Sequence, residues 1–347
     1  MTAERIEDPT TGYFNVWTGR HPFSAVRTID LQDHATFPAL DRFPMVQDIW
    51  VPRSLLDEKL LEQLRENTQI ESLRVTACKG EPPPRSIYRL THLVALDLYG
   101  NQLAELPDVF DQLPNLTDLT LAHNKLASIP PTLLRSASLR GLTLSSNQFS
   151  SVPDFSTTAL EQLDIDYNPI VDFEAEHLPW RIMYLGAACP TARMSPAIAN
   201  RLSLCELKIA VRDGTPLPDL SRLSLLTDLR LAGIHLGEPV LEKLPVELEA
   251  LAGIGSRRFG LQRVPSSIAR FRRLRKLDVN FEHVTELAPE LRDVPLHEFR
   301  ASSTKLRDTP TYAYLPSTLR VLHLRNVGMT RLPDRIRELT LDKLVLG

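Results

Sequence analysis

Three cysteines (Cys78, Cys189, Cys205) and nine histidines are the side chains of this 347-residue chain best suited to act as nucleophiles, bases or soft metal ligands. A thiol becomes nucleophilic when a basic neighbour lowers its pKa, and no such neighbour adjoins any of the three. Metal sites gather His and Cys at short fixed spacings; here both are scattered, so no metal is expected. The stretch GIGSRRFG from Gly253 to Gly260 has the glycines of a phosphate-cradling loop. That fingerprint also needs a strand before it, a helix after it and tighter spacing, so the stretch reads as a turn and no cofactor is expected. GxxxxGK followed by Ser or Thr, HExxH and GxSxG are all absent. His297-Glu298 stands as an isolated pair. No catalytic set assembles within these residues, and any catalytic domain is expected to lie outside them.

Composition narrows the classes further. With 43% hydrophobic and 24% charged residues, the chain can bury a large core and does not resemble a disordered one. Lys and Arg total 40 against 43 Asp and Glu, a net charge of -3 without the basic excess of a nucleic-acid binder. No run of about 18 apolar residues argues for a transmembrane helix. The start, MTAERIEDPTTGY, lacks the basic and apolar regions of a secretory signal. An odd, dispersed cysteine set fits a reducing compartment such as the cytoplasm.

The elements that must position any site come from a repeat. Leu93, Leu96, Leu98, Asn101 and Leu103 set the pattern LxxLxLxxNxL. It recurs from Leu116, Leu139 and Leu160, spaced by 23, 23 and 21 residues. The first three units go on to Leu106-Pro107, Ile129-Pro130 and Val152-Pro153. The same frame runs upstream through Ile70/Leu73/Val75, with Cys78 in the Asn slot, to Val26/Ile29/Leu31. Downstream it takes Trp180/Met183/Leu185, Leu204/Leu207/Ile209, Leu226/Leu229/Leu231, Leu248/Leu251, Leu274/Leu277/Val279, Leu296/Phe299/Ala301 and Leu319/Leu322/Leu324. About fourteen units result, with a last one cut at Gly347. Asn occupies its slot only at 101, 124, 147 and 168.

This pattern resembles the leucine-rich repeat family over more than nine-tenths of the chain. The resemblance implies an α/β solenoid curved like a horseshoe, with a parallel sheet on its concave face. Short helical, 3-10 or extended segments would line the convex face. Residues 1–25 are expected to cap the solenoid and 26–347 to form the repeats. A strand ending at Leu346-Gly347 would leave an open edge, from which we expect the native protein to continue. Repeats this short, ending in Leu-Pro, look like those of bacterial type III effectors delivered into host cells. The resemblance implies a module that selects a protein partner. Two alternatives stay open: the substrate-recognition or autoinhibitory part of a larger ubiquitin-ligase effector, and an intracellular scaffold or regulator of a GTPase or phosphatase.

Period-two geometry tells which side chains leave the core. In LxLxx the leucines point in and the intervening residues point out. The middle outward column reads Trp50, Arg74, Asp97, Thr120, Thr143, Asp164, Tyr184, Lys208, Arg230, Ala252, Asp278, Arg300, His323. The next begins Tyr99, Ala122, Ser145, Asp166, Gly186. Tyr167 and Phe281 flank these columns. Aromatics beside arginine on a rigid scaffold make protein-binding hot spots. The candidates for contact are therefore Trp50, Arg74, Tyr99, Asp164, Tyr167, Tyr184, Arg230, Phe281 and Arg300. Asp residues dominate the central units and Lys or Arg the later ones, which suits a partner of complementary charge. Elsewhere, DEKLLEQLREN over Asp57–Asn67 has apolar residues at helical spacing and predicts a helix.

Overall fold

The computed structural model describes residues 5–8, 12–15, 27–31, 40–210, 216–233, 236–254, 262–280 and 283–347. The chain forms two compact units, Met1–Asn168 and Pro169–Gly347.

In the first unit, each repeat contributes one short strand: β3 (Thr28–Asp30), β4 (Asp48–Pro52), β5 (Ser72–Thr76), β6 (Ala95–Asp97), β7 (Asp118–Thr120), β8 (Gly141–Thr143) and β9 (Gln162–Asp164). They pair in parallel with no slip, so one rung reads Asp30, Trp50, Arg74, Asp97, Thr120, Thr143, Asp164. The leucines at the adjacent inward rung, Leu73, Leu96, Leu119, Leu142 and Leu163, are buried. Burying each contributes about 1.5–3 kcal/mol, which a lone repeat could not gain. Two further strands, β1 (Arg5–Asp8) and β2 (Gly12–Asn15), form an antiparallel hairpin, and β1 pairs antiparallel with β3. The outer edge of the first parallel strand thus has a pairing partner. Helix α1 (Glu58–Glu66) fills the long early repeat. Its N-cap Asp57 accepts a hydrogen bond from the Leu60 amide at 2.8 Å, and it buries Leu60, Leu61 and Leu64.

The asparagines explain why the turns hold. Asn124 Oδ1 accepts from the Asn101 and Leu103 amides (3.1 and 2.9 Å), while its Nδ2 donates to the Leu98 and Leu121 carbonyls (both 2.9 Å). Asn101, Asn147 and Asn168 repeat this, each bonding the turn of the repeat before it. All four are buried, so they satisfy backbone groups that would otherwise cost about 1–3 kcal/mol apiece. The residue before each asparagine takes the left-handed conformation: Gly100 (φ 70°), His123, Ser146 and Tyr167 (φ 55°).

The second unit repeats the architecture with β11 (Tyr184–Ala188), β13 (Glu206–Ala210), β14 (Asp228–Ala232), β15 (Ala250–Ile254), β16 (Lys276–Asp278), β17 (Glu298–Arg300), β18 (Val321–Leu324) and β19 (Lys343–Leu346), all parallel. A small two-stranded pair, β10 (Asp172–Phe173) and β12 (Arg193–Met194), lies apart from it. Among the non-Asn slots, Thr304 substitutes by donating its hydroxyl to the Ala301 carbonyl at 2.8 Å. Val327 is buried there instead. Arg212, Ile234, Ser256 and Glu282 lie outside the described residues.

The segments between strands are short because prolines punctuate them. Helices α2 (Pro131–Leu134), α3 (Glu238–Leu241) and α4 (Asp334–Glu338) are single turns, and Pro196–Asn200, Ser266–Arg270, Pro289–Asp293 and Pro310–Tyr314 are 3-10 turns. Several carry Pro in the first turn, where its missing N–H is harmless.

The frame needs one correction. The repeat spelled Trp180/Met183/Leu185 starts instead at Ile182, and Leu185 and Ala187 pair with Leu207 and Ile209. Ile182 is fully buried, whereas Trp180 and Met183 are exposed. The slip is two residues, so the strand keeps its faces but shifts its columns. Its third inward position holds the small Ala187, and the bulkier Trp180 and Met183 imitate the motif one step early.

Candidate interaction surface

In the first unit, the register places Trp50, Arg74 and Asp97 side by side on β4, β5 and β6. The Arg74 guanidinium carbon lies 4.9 Å from the Trp50 ring centroid and 5.9 Å from that of Tyr99. Its Nε sits 3.2 Å from Asp97 Oδ2. Asp97 Oδ1 in turn accepts from the Tyr99 amide at 2.8 Å, which fixes the start of the turn. The Tyr99 ring packs 4.9 Å from that of His123. A planar cation between two aromatic faces is a good anchor, because the guanidinium is weakly hydrated and stacks. The structure thus brings together three of the residues expected from sequence and adds Asp97 and His123. His123 was legible only as the turn residue one repeat beyond Tyr99.

Asp164 and Tyr167 lie three rungs from Asp97, roughly 14 Å away. Asp164 Oδ1 accepts from the Asp166 amide at 3.0 Å. Tyr167 is exposed and holds φ at 55°, unusual for a bulky residue. Asp30, Asp48, Asp97, Asp118 and Asp164 all occupy outward positions of the parallel strands β3 to β9, with Arg74 the one cation among the outward positions of those strands. Gly141 makes room for one of them, since a Cβ there would stand 2.6 Å from Asp118 Oδ1.

The second unit is built differently. Arg230 reaches its own strand neighbour Asp228 (Nε to Oδ1 3.3 Å), and Arg300 reaches Glu298 (2.6 Å). Hydrogen bonding and charge from Asp228 push the Arg230 guanidinium pKa up further. Between these pairs, the small Ala250 and Ala252 leave a recess of about 290 Å³, walled by Lys276 and Asp278. Burial raises the Asp278 carboxyl above its ordinary range, opposed by the Asn280 amide that donates to it at 2.9 Å and by the Arg300 charge. Burial, with help from Arg300 and Lys343, lowers the His323 imidazole. Tyr184 pairs with Glu206, so it belongs to the column of Asp228 and not to that of Lys208 and Arg230; Gly186 takes the place assigned to it. Phe281 lies outside the described residues.

The thiols do not join this surface as nucleophiles. Burial pushes Cys78 up to about 11, so it is protonated at neutral pH, and its amide donates to Asn101 Oδ1 at 2.9 Å. Cys189, which follows directly on β11, is buried. Cys205 is half-buried and donates to the Ser203 carbonyl. The glycines of the GIGSRRFG stretch have a structural reading where they are described. Gly253 stands at an inward position, and a Cβ there would meet Leu236 Cδ1 at 2.5 Å, so Leu236 fills the core in its place. The remainder of the stretch, 255–260, lies outside the described residues. Among the described residues, no cluster of three His, Cys, Asp or Glu could hold a metal ion, and no helix is long and apolar enough to cross a membrane.

Comparison with known proteins agrees with this geometry. The family described as leucine rich repeat matches residues 83–126. No curated protein matches the chain. Among solved structures, a leucine-rich repeat protein of Leptospira interrogans is similar at 24% identity, covering 94% of this chain and 85% of that one with a TM-score of 0.68. An internalin of Listeria monocytogenes is similar at 16% identity, over 92% and 87% of the two chains, with a TM-score of 0.53. TLR13, solved in complex with a single-stranded RNA, is similar at 21% identity over 94% of this chain and 59% of that one, TM-score 0.53. The chain has the leucine-rich repeat fold. Its fold suggests a protein–protein interaction module.

Proposed function

We propose that this protein recognises a protein partner on the outward face of its strands, anchored by the first unit. The observation that carries this reading is the stack of Arg74 between Trp50 and Tyr99, held by Asp97. Trp, Tyr and Arg dominate measured hot spots, and here they form one cluster on a rigid sheet. The acidic outward positions of the same unit favour a partner that presents basic residues. Asp164 and Tyr167 extend the contact within the first unit, and Tyr184, Arg230, Phe281 and Arg300 are proposed as contacts of the second. The short Leu-Pro repeats support placing the chain with the recognition parts of delivered bacterial effectors. Changing Trp50, Arg74 and Tyr99 together to Ala tests the anchor. Affinity for a partner identified by cross-linking should fall by about 100-fold or more, since each hot-spot residue contributes on the order of 1–2 kcal/mol. Unchanged affinity would remove the reading.

A further inference from the structure

A second surface lies on the flank of the second unit, away from the outward strand positions. Most of the described repeats enter their strand through a two-residue turn just before the first leucine position. In four consecutive repeats that turn carries a large exposed apolar residue: Trp180 (67% exposed), Leu202 (50%), Leu225 (55%) and Val246 (41%). The corresponding turns of the first unit hold Pro44-Met45, Thr68-Gln69, Thr91-His92 and Pro114-Asn115, of which Met45 alone is a large exposed apolar residue, so no run of them forms there. The pairing of β11, β13, β14 and β15 sets the four on successive strands: Trp180, Leu202 and Val246 stand four residues before the paired Tyr184, Glu206 and Ala250, and Leu225 three before Asp228. The Ser203 hydroxyl, donating to the Trp180 carbonyl at 3.2 Å, ties the first two turns together. Met183, three residues on from Trp180, is also exposed. The result is an apolar stripe roughly 15 Å long, stepped by one residue at Leu225. Scattered exposed apolar residues need no explanation, but a contiguous row rimmed by charge marks an interaction site.

Cations stand at both ends of the stripe, with Glu247 an acid beside Val246. The Arg181 guanidinium lies over the Trp180 ring at 4.9 Å. The turn that follows Val246-Glu247 is Arg272-Arg273, both exposed, so the stripe ends in two cations. Spacing selects the occupant. Rungs repeat about every 4.8 Å and the turns of an α-helix every 5.4 Å, so a helix laid across the strands sets one side chain per turn against each rung. A second copy fits poorly, because four side chains fall short of the roughly 1,200–2,000 Å² that a stable interface buries. We propose that this stripe docks an amphipathic helix of a partner protein, with an apolar residue at each turn and acidic residues facing Arg272 and Arg273.

The full chain can be titrated with a ~18-residue helical peptide bearing leucines along one stripe and glutamates at the matching end, beside a scrambled peptide of equal composition. The ordered peptide should bind at least about tenfold more tightly than the scrambled one. It should shift the emission of Trp180, a shift absent in Trp180→Phe. Leu202→Glu combined with Leu225→Glu should weaken binding about tenfold or more while the thermal midpoint stays unchanged, since both side chains are exposed. Equal binding of the two peptides, or indifference to the double substitution, would overturn the proposal. Two other results would overturn it by naming a different occupant. One is self-association in sedimentation that the double substitution abolishes. The other is binding to phosphatidylserine vesicles that the double substitution abolishes.

Discussion

The two units close the same leucine frame in two ways. Buried asparagines at 101, 124, 147 and 168 stitch the turns of the first unit, each bonding the repeat before it. In the second, Thr304 makes one hydroxyl bond and Val327 makes none with its side chain. Their outward faces diverge as well. Aspartates surround a single aromatic-clamped arginine in the first, while arginines in the second are paired with acids on their own strands. The contrast teaches that inward leucines alone specify the stack, and that turn chemistry and surface charge vary over it. Recognition then has different material to work with in each unit: an arginine held against two aromatic rings in one, and arginines paired with acids on their own strands, each pair worth little at a surface, in the other.

The largest expected effect comes from the ladder. Asn124→Ala strips partners from two amides and at least two carbonyls, and should destabilise the protein by about 3–5 kcal/mol in denaturant unfolding. Thr304→Ala, which frees one carbonyl, should lose only about 1 kcal/mol. Equal losses would erase the distinction between the units.

Glycines offer the next contrast. Gly253→Ala drives a methyl into Leu236 in a packed core and should lose about 1–3 kcal/mol. Gly141→Ala meets only the movable carboxylate of Asp118 and should lose less, about 1 kcal/mol, the ordinary value for a surface change of this kind. A double substitution pairing Gly253→Ala with Leu236→Ala should recover part of the first loss; simple additivity would contradict the packing account.

Asp278 makes a pH-dependent prediction. Its carboxyl is raised in the folded state, mainly by burial. The stability linked to it is therefore complete below the ordinary carboxylate range and declines as pH rises through the raised value. Asp278→Asn should match the wild type near pH 3 and exceed it in stability at pH 7, by pH-dependent unfolding. A gap that opens in the opposite direction would mean that Arg300 outweighs burial. The smallest effect is at Tyr167: Tyr167→Gly relieves a left-handed φ and should change stability by less than about 1 kcal/mol, in the stabilising direction.

Much of this was legible before any coordinates. The leucine spacing gave the parallel stack, the asparagine slots the turns, and the Asp57-to-Asn67 pattern helix α1. Trp50, Arg74 and Tyr99 could be assigned to one face because the side-chain period of a strand is two. What failed had physical causes. Trp180 and Met183 match the leucine motif in type, so sequence placed them inside and misassigned Tyr184's column; only strand register separates the two frames. His123 joins Tyr99 through a left-handed turn, a conformation that residue type does not reveal. The flank stripe went unread because Leu202, Leu225 and Val246 fall just outside the repeat motif and Trp180 was assigned to its first position.

The central claim, that the outward strand face of the first unit grips a protein, is tested most directly by site-specific photo-cross-linking. A photoreactive phenylalanine analogue at Tyr99 or Thr120 sits on that face, and one at the exposed Gln112 sits on the 3-10 turn Phe110–Gln112. Adducts to a single protein from positions 99 and 120, and none from 112, are the result this account predicts. Adducts from 112 with none from 99 or 120 would contradict it.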